Sequence, residues 1–143
     1  LENRSMRKAF SKDRIKSDHI ALLVHRADLD LTNNVSHEAV AKLKKVLRQD
    51  KTFIPAVTRL ASIYLDIGKK SASRTMLKRA WARNPHPDIV PIWARLYETR
   101  KRKDSKARIK HIENLAQINR NTPVGHLALA RVALEEKDWA TAR

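Results

Sequence analysis

The sequence predicts an all-α protein, built as a right-handed α-solenoid of helix-turn-helix repeats. Apolar residues recur at helical spacing along most of the chain. Residues of similar size also return when the sequence is shifted by 34 positions: Ala27 corresponds to Ala61, Ala39 to Ser73, Leu43 to Leu77 and Val46 to Ala80. Only two glycines and five prolines occur in 143 residues, which leaves few turn signals for a β-sheet protein.

The repeat continues towards the C-terminus with one inserted residue. Leu60 and Ala61 reappear 69 positions later as Leu129 and Ala130, one more than two shifts of 34. We place the insertion at or before the basic run 100–103. The pattern predicts four units at about 17–50, 51–85, 86–120 and 121–143, the last one truncated. Residues 1–16 form a basic lead-in that we expect to be frayed or disordered.

The first unit is predicted to hold a helix from about Ser17 to Leu31 and a second helix ending at Arg48. Asn33-Asn34 should end the first helix, and Ser36 is a plausible N-cap for the second. The predicted buried positions of this unit are Ile20, Leu23, Val24, Ala27 and Leu31 on the first helix, and Ala39, Leu43, Val46 and Leu47 on the second.

The second unit, residues 53–85, has the clearest pattern. Two amphipathic segments meet at Gly68 and end at Asn84-Pro85, with Ala61 where the first helix must admit its neighbour and Tyr64 one turn later. This layout resembles a tetratricopeptide unit. Because such repeats present surfaces to varied partners, the layout predicts architecture more strongly than it predicts function.

The third and fourth units begin at proline-containing starts. The elbow 84–88 should be rigid, since each of its two prolines forbids helix at the residue before it. A helix at about 90–99 follows, then one from Asp104 or Ser105 to about Ile118. Thr122-Pro123 predicts an N-cap with proline in the first turn. The predicted inward positions are Ile92, Trp93, Leu96 and Tyr97, then Ile109, Ile112, Leu115 and Ala116, then Leu127, Ala130, Ala133 and Leu134. Because the last unit has only residues 138–143 of its second helix, we expect an excised fragment that frays or dimerises through this end.

The net charge of +16 predicts contact with an acidic partner, either nucleic acid, anionic lipid headgroups or an acidic protein face. The strongest candidate surface for that partner comprises Arg102, Lys103, Lys106 and Lys110, spaced to share one helix face. A second, shorter set is Arg74, Lys78, Arg79 and Arg83. A solvated surface without a ligand is the ordinary interpretation of both sets.

Catalysis and cofactor binding have little support in the sequence. There is no nucleophile motif and no glycine-rich phosphate loop, cysteine is absent, and no run of apolar residues is long enough to span a membrane. The six histidines lack metal-ligand spacing, and His86 is best interpreted as a packing or capping group in the elbow. Trp81 and Trp139 are predicted to pack between repeats, and Trp93 is the least certain of the tryptophans. We therefore predict no enzyme activity, metal or cofactor.

The groove of the predicted solenoid is lined by the first helix of each unit. Some repeat domains clamp a terminal carboxylate there with Lys and Asn, but the corresponding positions hold Val24, Asp28, Thr58 and Ser62. That mode is not supported. Arg59, Ser62 and Arg131 remain as candidate groove contacts for a protein partner.

A more specific resemblance is to the C-terminal repeat region of the HemY-type family of bacterial inner-membrane proteins. It is carried by Ala21-Leu22-Leu23 with Arg26-Ala27, Phe53-Ile54-Pro55-Ala56, Ala80-Trp81 before the Pro85-His86-Pro87 elbow, Arg108-Ile109-Lys110, and Leu127-Ala128-Leu129-Ala130-Arg131 before Trp139-Ala140-Thr141-Ala142-Arg143. The resemblance implies a cytoplasm-facing scaffold on a membrane-anchored protein associated with haem biosynthesis, without catalytic residues. The alternative is a basic helical-repeat protein that binds nucleic acid.

Overall fold

The computed structural model describes residues 2–32, 36–97 and 105–137, with side chains from residue 14 onward. All regular structure within these ranges is helical, which confirms the all-α prediction. The helices are α1 (Glu2–Thr32), α2 (Ser36–Gln49), α3 (Ile54–Asp66), α4 (Lys70–Arg83), α5 (Ile89–Arg95), α6 (Ser105–Ala116) and α7 (Pro123–Glu135), with a 3₁₀ turn at Gln117–Asn119. They form two compact units, Leu1–Lys51 and Thr52–Arg143.

The first unit is the antiparallel pair of α1 and α2. Its core holds the predicted positions Ile20, Leu23, Val24 and Ala27 of α1 and Ala39, Leu43 and Val46 of α2. Lys42 of α2 pairs with Asp30 of α1 and with Glu38, and the bond to Asp30 is the main reason why the pKa of Lys42 is raised. The apolar stripe and this ion pair hold the two helices together.

The start of α1 differs from the prediction. The helix begins at Glu2 and not near Ser17. The expectation that residues 1–16 form a frayed or disordered lead-in stays a prediction. Residues 2–16 contain neither glycine nor proline and include several strong helix formers, so no local signal stops the helix. The predicted end at Asn33-Asn34 lies outside the described residues.

The second unit is built around α3 and α4, joined at Gly68, whose φ of +79° is the left-handed conformation that glycine adopts without strain. Its core comprises Ile54, Ala56, Val57, Leu60, Ala61 and Ile63 of α3, Ser73, Leu77, Ala80 and Trp81 of α4, Ile89 and Trp93 of α5 with Leu96, and Ile109, Ile112 and Leu115 of α6. The burial of Trp81 and Trp93 confirms the packing interpretation for both, whereas Trp139 lies outside the described residues.

The four residue pairs that the 34-residue shift relates are all buried. Ala27 and Ala61 are both 0% exposed, as are Leu43 and Leu77. Ala39 and Ser73 are also fully buried, and the Ser73 hydroxyl has no hydrogen-bond partner within the described residues. An unpaired buried hydroxyl lowers stability, so hydrogen bonding does not explain the serine at this position. Its small side chain, close in size to the equivalent Ala39, does.

Helix α5 is shorter than predicted. It ends at Arg95, and the next two amides bond three residues back, from Leu96 to the Trp93 carbonyl and from Tyr97 to the Ala94 carbonyl. Such bonds tighten the chain and interrupt the α-helical hydrogen-bond ladder. The predicted end at Thr99 is therefore wrong for the α-helix.

Helix α7 begins as predicted. Thr122 is the N-cap, its hydroxyl accepts a bond from the Gly125 amide at 3.3 Å, and Pro123 occupies the first turn. A Cβ at Gly125 would lie 3.1 Å from the Thr122 hydroxyl oxygen, so glycine leaves room for the capping hydroxyl. Of the four predicted inward positions only Ala133 is buried: Leu127 is 70% and Leu134 51% exposed, and Ala130 is partly exposed. Val132, which was not predicted, is also buried. Among the described helices α7 packs mainly on α6.

Candidate partner-binding site

A cleft with a volume of about 260 Å³ opens between α5, α6 and α7. Most of its lining is apolar. The lining comprises Pro87, Val90, Pro91 and Ala94 from α5 and the elbow, Arg108 and Ile112 from α6, and Val124, Leu127, Ala128, Arg131, Val132 and Glu135 from α7. Short side chains such as Ala94 and Ala128 create the space, and Leu127 stands at its exposed edge.

Charged side chains form one rim of this cleft. Arg108 pairs with Glu136, whose side chain is only 12% exposed, and its Nη2 lies 3.8 Å from Glu135 Oε2. Glu136 also accepts a bond from the Ser105 hydroxyl. The Arg131 Nε lies 3.3 Å from Glu135 Oε1, but Arg131 is 81% exposed. The bonds to Glu136 therefore join α6 to α7, while Arg131 remains accessible to a ligand.

The three predicted groove residues do not come together. Arg131 lines the cleft, whereas Arg59 and Ser62 lie on α3. Arg59 Nη1 donates to the Pro55 carbonyl at 3.3 Å. Ser62 accepts a bond of 2.7 Å from Arg95, which also donates to Asp66 at 2.7 Å. Ser62 thus helps to join α3 to α5.

Sequence reasoning missed Arg108 and the role of Glu135-Glu136. Carboxylates on adjacent residues of a helix ordinarily point in different directions. Those of Glu135 and Glu136 meet the same guanidinium because Glu136 is the C-cap of α7, where helical geometry ends. The sequence feature that could have indicated this ion pair was Arg108 itself, a long cationic side chain next to the apolar stripe of α6.

Trp93 and His111 form a reciprocal pair between α5 and α6. The Trp93 indole N–H donates to the His111 carbonyl at 2.8 Å, and His111 Nε2 lies 2.8 Å from the Trp93 carbonyl, to which it donates. The rings stack with centroids 4.9 Å apart, and the Tyr97 ring lies 5.5 Å from His111. This pair fixes the wall of the cleft that α5 provides. His86 has a local role, as its Nδ1 accepts a bond from the Asp88 amide.

Stability should depend on pH through His111. Burial lowers the pKa of His111, the bond to Trp93 opposes this effect, and Arg74 lowers the pKa further. At pH values near and below about 6.5, the ordinary pKa of histidine, the unfolded state therefore binds more protons than the folded state. The free energy of unfolding should then fall as the pH decreases through this region. Urea midpoints at pH 7.5 and 5.5 test this. The His111→Gln variant should lose less stability over the same interval, and an identical loss in both proteins would contradict the assignment.

The predicted basic surface is only partly described. Arg102 and Lys103 lie outside the described residues, while Lys106 and Lys110 are exposed on α6. The second set, Arg74, Lys78, Arg79 and Arg83, is exposed along α4. Trp81 and Trp93 cannot stack on bases because both are buried.

The described residues hold neither a metal-binding cluster nor a membrane-spanning helix. No group of three or more histidine, aspartate or glutamate side chains there is arranged to hold a metal ion. None of the described helices combines the length and the apolar character needed to cross a bilayer.

Comparison with known proteins gives one informative similarity. No protein-family model matches the chain. The chain is similar to the probable magnetosome protein Mms48 of Magnetospirillum gryphiswaldense, with 28% identity over 100 residues. The similarity covers 70% of this chain and 22% of the relative, so the chain spans about a fifth of the length of that curated protein.

Proposed function

We propose that this chain is a non-enzymatic protein-interaction module whose α5–α7 cleft binds a segment of a partner protein. The cleft carries the proposal, because it combines an apolar floor with an accessible cation, Arg131, at its rim. Binding grooves for protein segments commonly join an apolar surface to a few polar groups that fix orientation.

The partner segment should offer one apolar side chain and one carboxylate. Leu127 is 70% exposed and would be covered by an apolar anchor in the cleft. Arg131 pairs with Glu135 on the surface, where ion pairs contribute little, so a partner carboxylate can replace Glu135 at small cost. Arg108 is less available because Glu136 holds it.

The proposed architecture is a tetratricopeptide-like solenoid. In support, the four residue pairs that the 34-residue shift relates are all buried, and within residues 52–143 α5 packs on both helices of the preceding pair, α3 and α4. Packing of each first helix on the preceding helix pair is the contact that lets repeats bury a continuous core.

The proposed setting follows from the resemblance to the HemY-type family. It would make the chain a cytoplasm-facing scaffold of a bacterial inner-membrane protein associated with haem biosynthesis. The similarity to a probable magnetosome protein suggests a magnetosome as another setting for the chain. Depletion of the natural protein tests the haem association: an unchanged cellular haem content would remove it from the proposal.

Selection from a random-peptide library followed by fluorescence anisotropy tests the binding function. Selected peptides should share an apolar residue near an acidic one. Leu127→Glu should weaken their binding about tenfold or more, as expected for a central contact residue. Leu134→Glu is the matched control, since Leu134 is exposed on the same helix but does not line the cleft. Equal effects of the two substitutions, or no selected peptides, would contradict the proposal.

A further inference from the structure

Helix α4 carries positive charge that the described part of the chain does not neutralise. Its sequence contains five Lys or Arg residues and no acidic residue, and one more lysine precedes it. The six cations are Lys69, Lys70, Arg74, Lys78, Arg79 and Arg83, all exposed. None of them forms an ion pair within the described residues. Lys44, Lys45 and Arg48 on α2 and Lys106 and Lys110 on α6 also form no ion pair within the described residues, so α4 is distinguished by its composition, five cations without an acidic residue.

The cations are held on a rigid element. Leu77 and Trp81 are fully buried and hold α4 against the core. Lys70, Arg74 and Lys78 form one row at four-residue spacing, and Arg79 and Arg83 form a second row with the same spacing farther around the exposed side of the helix. A helix of 14 residues is about 21 Å long, so the charges extend along one side of the unit.

An exposed apolar residue stands at the beginning of this surface. Ile67 is 50% exposed in the turn between α3 and α4, where Gly68 reverses the chain and Lys69 and Lys70 follow. An apolar side chain beside several cations is the combination that binds the interface of an anionic bilayer, through insertion and charge attraction together.

We propose that α4 and the Ile67 turn dock on the surface of a membrane containing anionic phospholipids, with Ile67 entering the boundary between headgroups and acyl chains. The surface favours a bilayer over nucleic acid because Trp81, the only aromatic residue of α4, is buried and cannot stack on bases. Ile67 would bury no apolar surface against the phosphate backbone of a nucleic acid. The α4 surface contains no cleft residue, so this inference is independent of the proposed peptide binding.

Vesicle flotation measures the docking. The chain should float with vesicles of phosphatidylcholine and phosphatidylglycerol at 70:30 and remain unbound with pure phosphatidylcholine, and 0.5 M salt should release it. Arg74→Glu with Lys78→Glu should lower the partition coefficient by about tenfold or more, since each cation near such a surface contributes about fivefold. Ile67→Ser should lower it by about threefold or more, while peptide binding in the cleft stays unchanged in both variants.

Arg14→Glu with Lys16→Glu provides the matched control. These two α1 residues are also exposed, and their reversal changes the net charge by the same amount. An equal loss in this control would show attraction by net charge alone and overturn the α4 assignment. Unchanged flotation of Ile67→Ser, together with tighter binding to duplex DNA than to the vesicles, would assign the surface to nucleic acid instead. Absence of flotation with the anionic vesicles would also overturn the proposal.

Discussion

Replacing Trp93 by alanine is expected to lower the free energy of unfolding of residues 52–143 by about 3–5 kcal/mol. Trp93 is only 2% exposed, so the substitution removes a large buried side chain and leaves a cavity. It also removes the donor to the His111 carbonyl and the stacking partner of the His111 ring. Urea unfolding followed by circular dichroism measures the loss.

Phenylalanine at the same position separates packing from hydrogen bonding. Trp93→Phe retains most of the buried apolar area but not the indole N–H, so it should cost less than the alanine variant and still leave the His111 carbonyl without its donor. Both variants keep Trp81 as a buried fluorophore. If alanine at position 93 cost less than about 1 kcal/mol, the pair would not join α5 to α6 as described.

The local helical signals were readable from the sequence. Ala61 and Leu77 were predicted to be buried because the 34-residue repeat and the 3.6-residue period select the same positions. The Thr122 cap was predictable for a similar reason, since a cap depends on residues three apart. Agreement between local and long-range patterns therefore identified the central core.

Contacts between helices could not be predicted from these sequence patterns. The Trp93–His111 pair joins residues 18 apart whose approach depends on how α5 crosses α6, and no local pattern contains that angle. The charged rim of the cleft depends on the same packing, because Arg108 meets Glu136 from another helix. The early start of α1 was missed for the opposite reason: without a glycine or proline, the lead-in gave no boundary signal.

Leu43→Ala and Leu77→Ala are each expected to lower the free energy of unfolding by about 2–5 kcal/mol. Both leucines are 0% exposed, and they occupy equivalent positions on α2 and α4. Backbone amide hydrogen exchange should become faster first in residues 1–51 for the Leu43 variant, and first in residues 52–143 for the Leu77 variant. Leu22→Ala is the control on an exposed leucine and should change stability by about 0.5 kcal/mol or less.

The double variant then tests the repeat proposal. In a short solenoid, stability is a sum of repeat terms and nearest-neighbour interface terms, and strong interfaces make neighbouring repeats unfold together. The proposed solenoid therefore predicts a single urea transition in which the two losses add. Two separate transitions, each shifted by only one of the substitutions, would instead mean that residues 1–51 and 52–143 fold independently, which would contradict the solenoid.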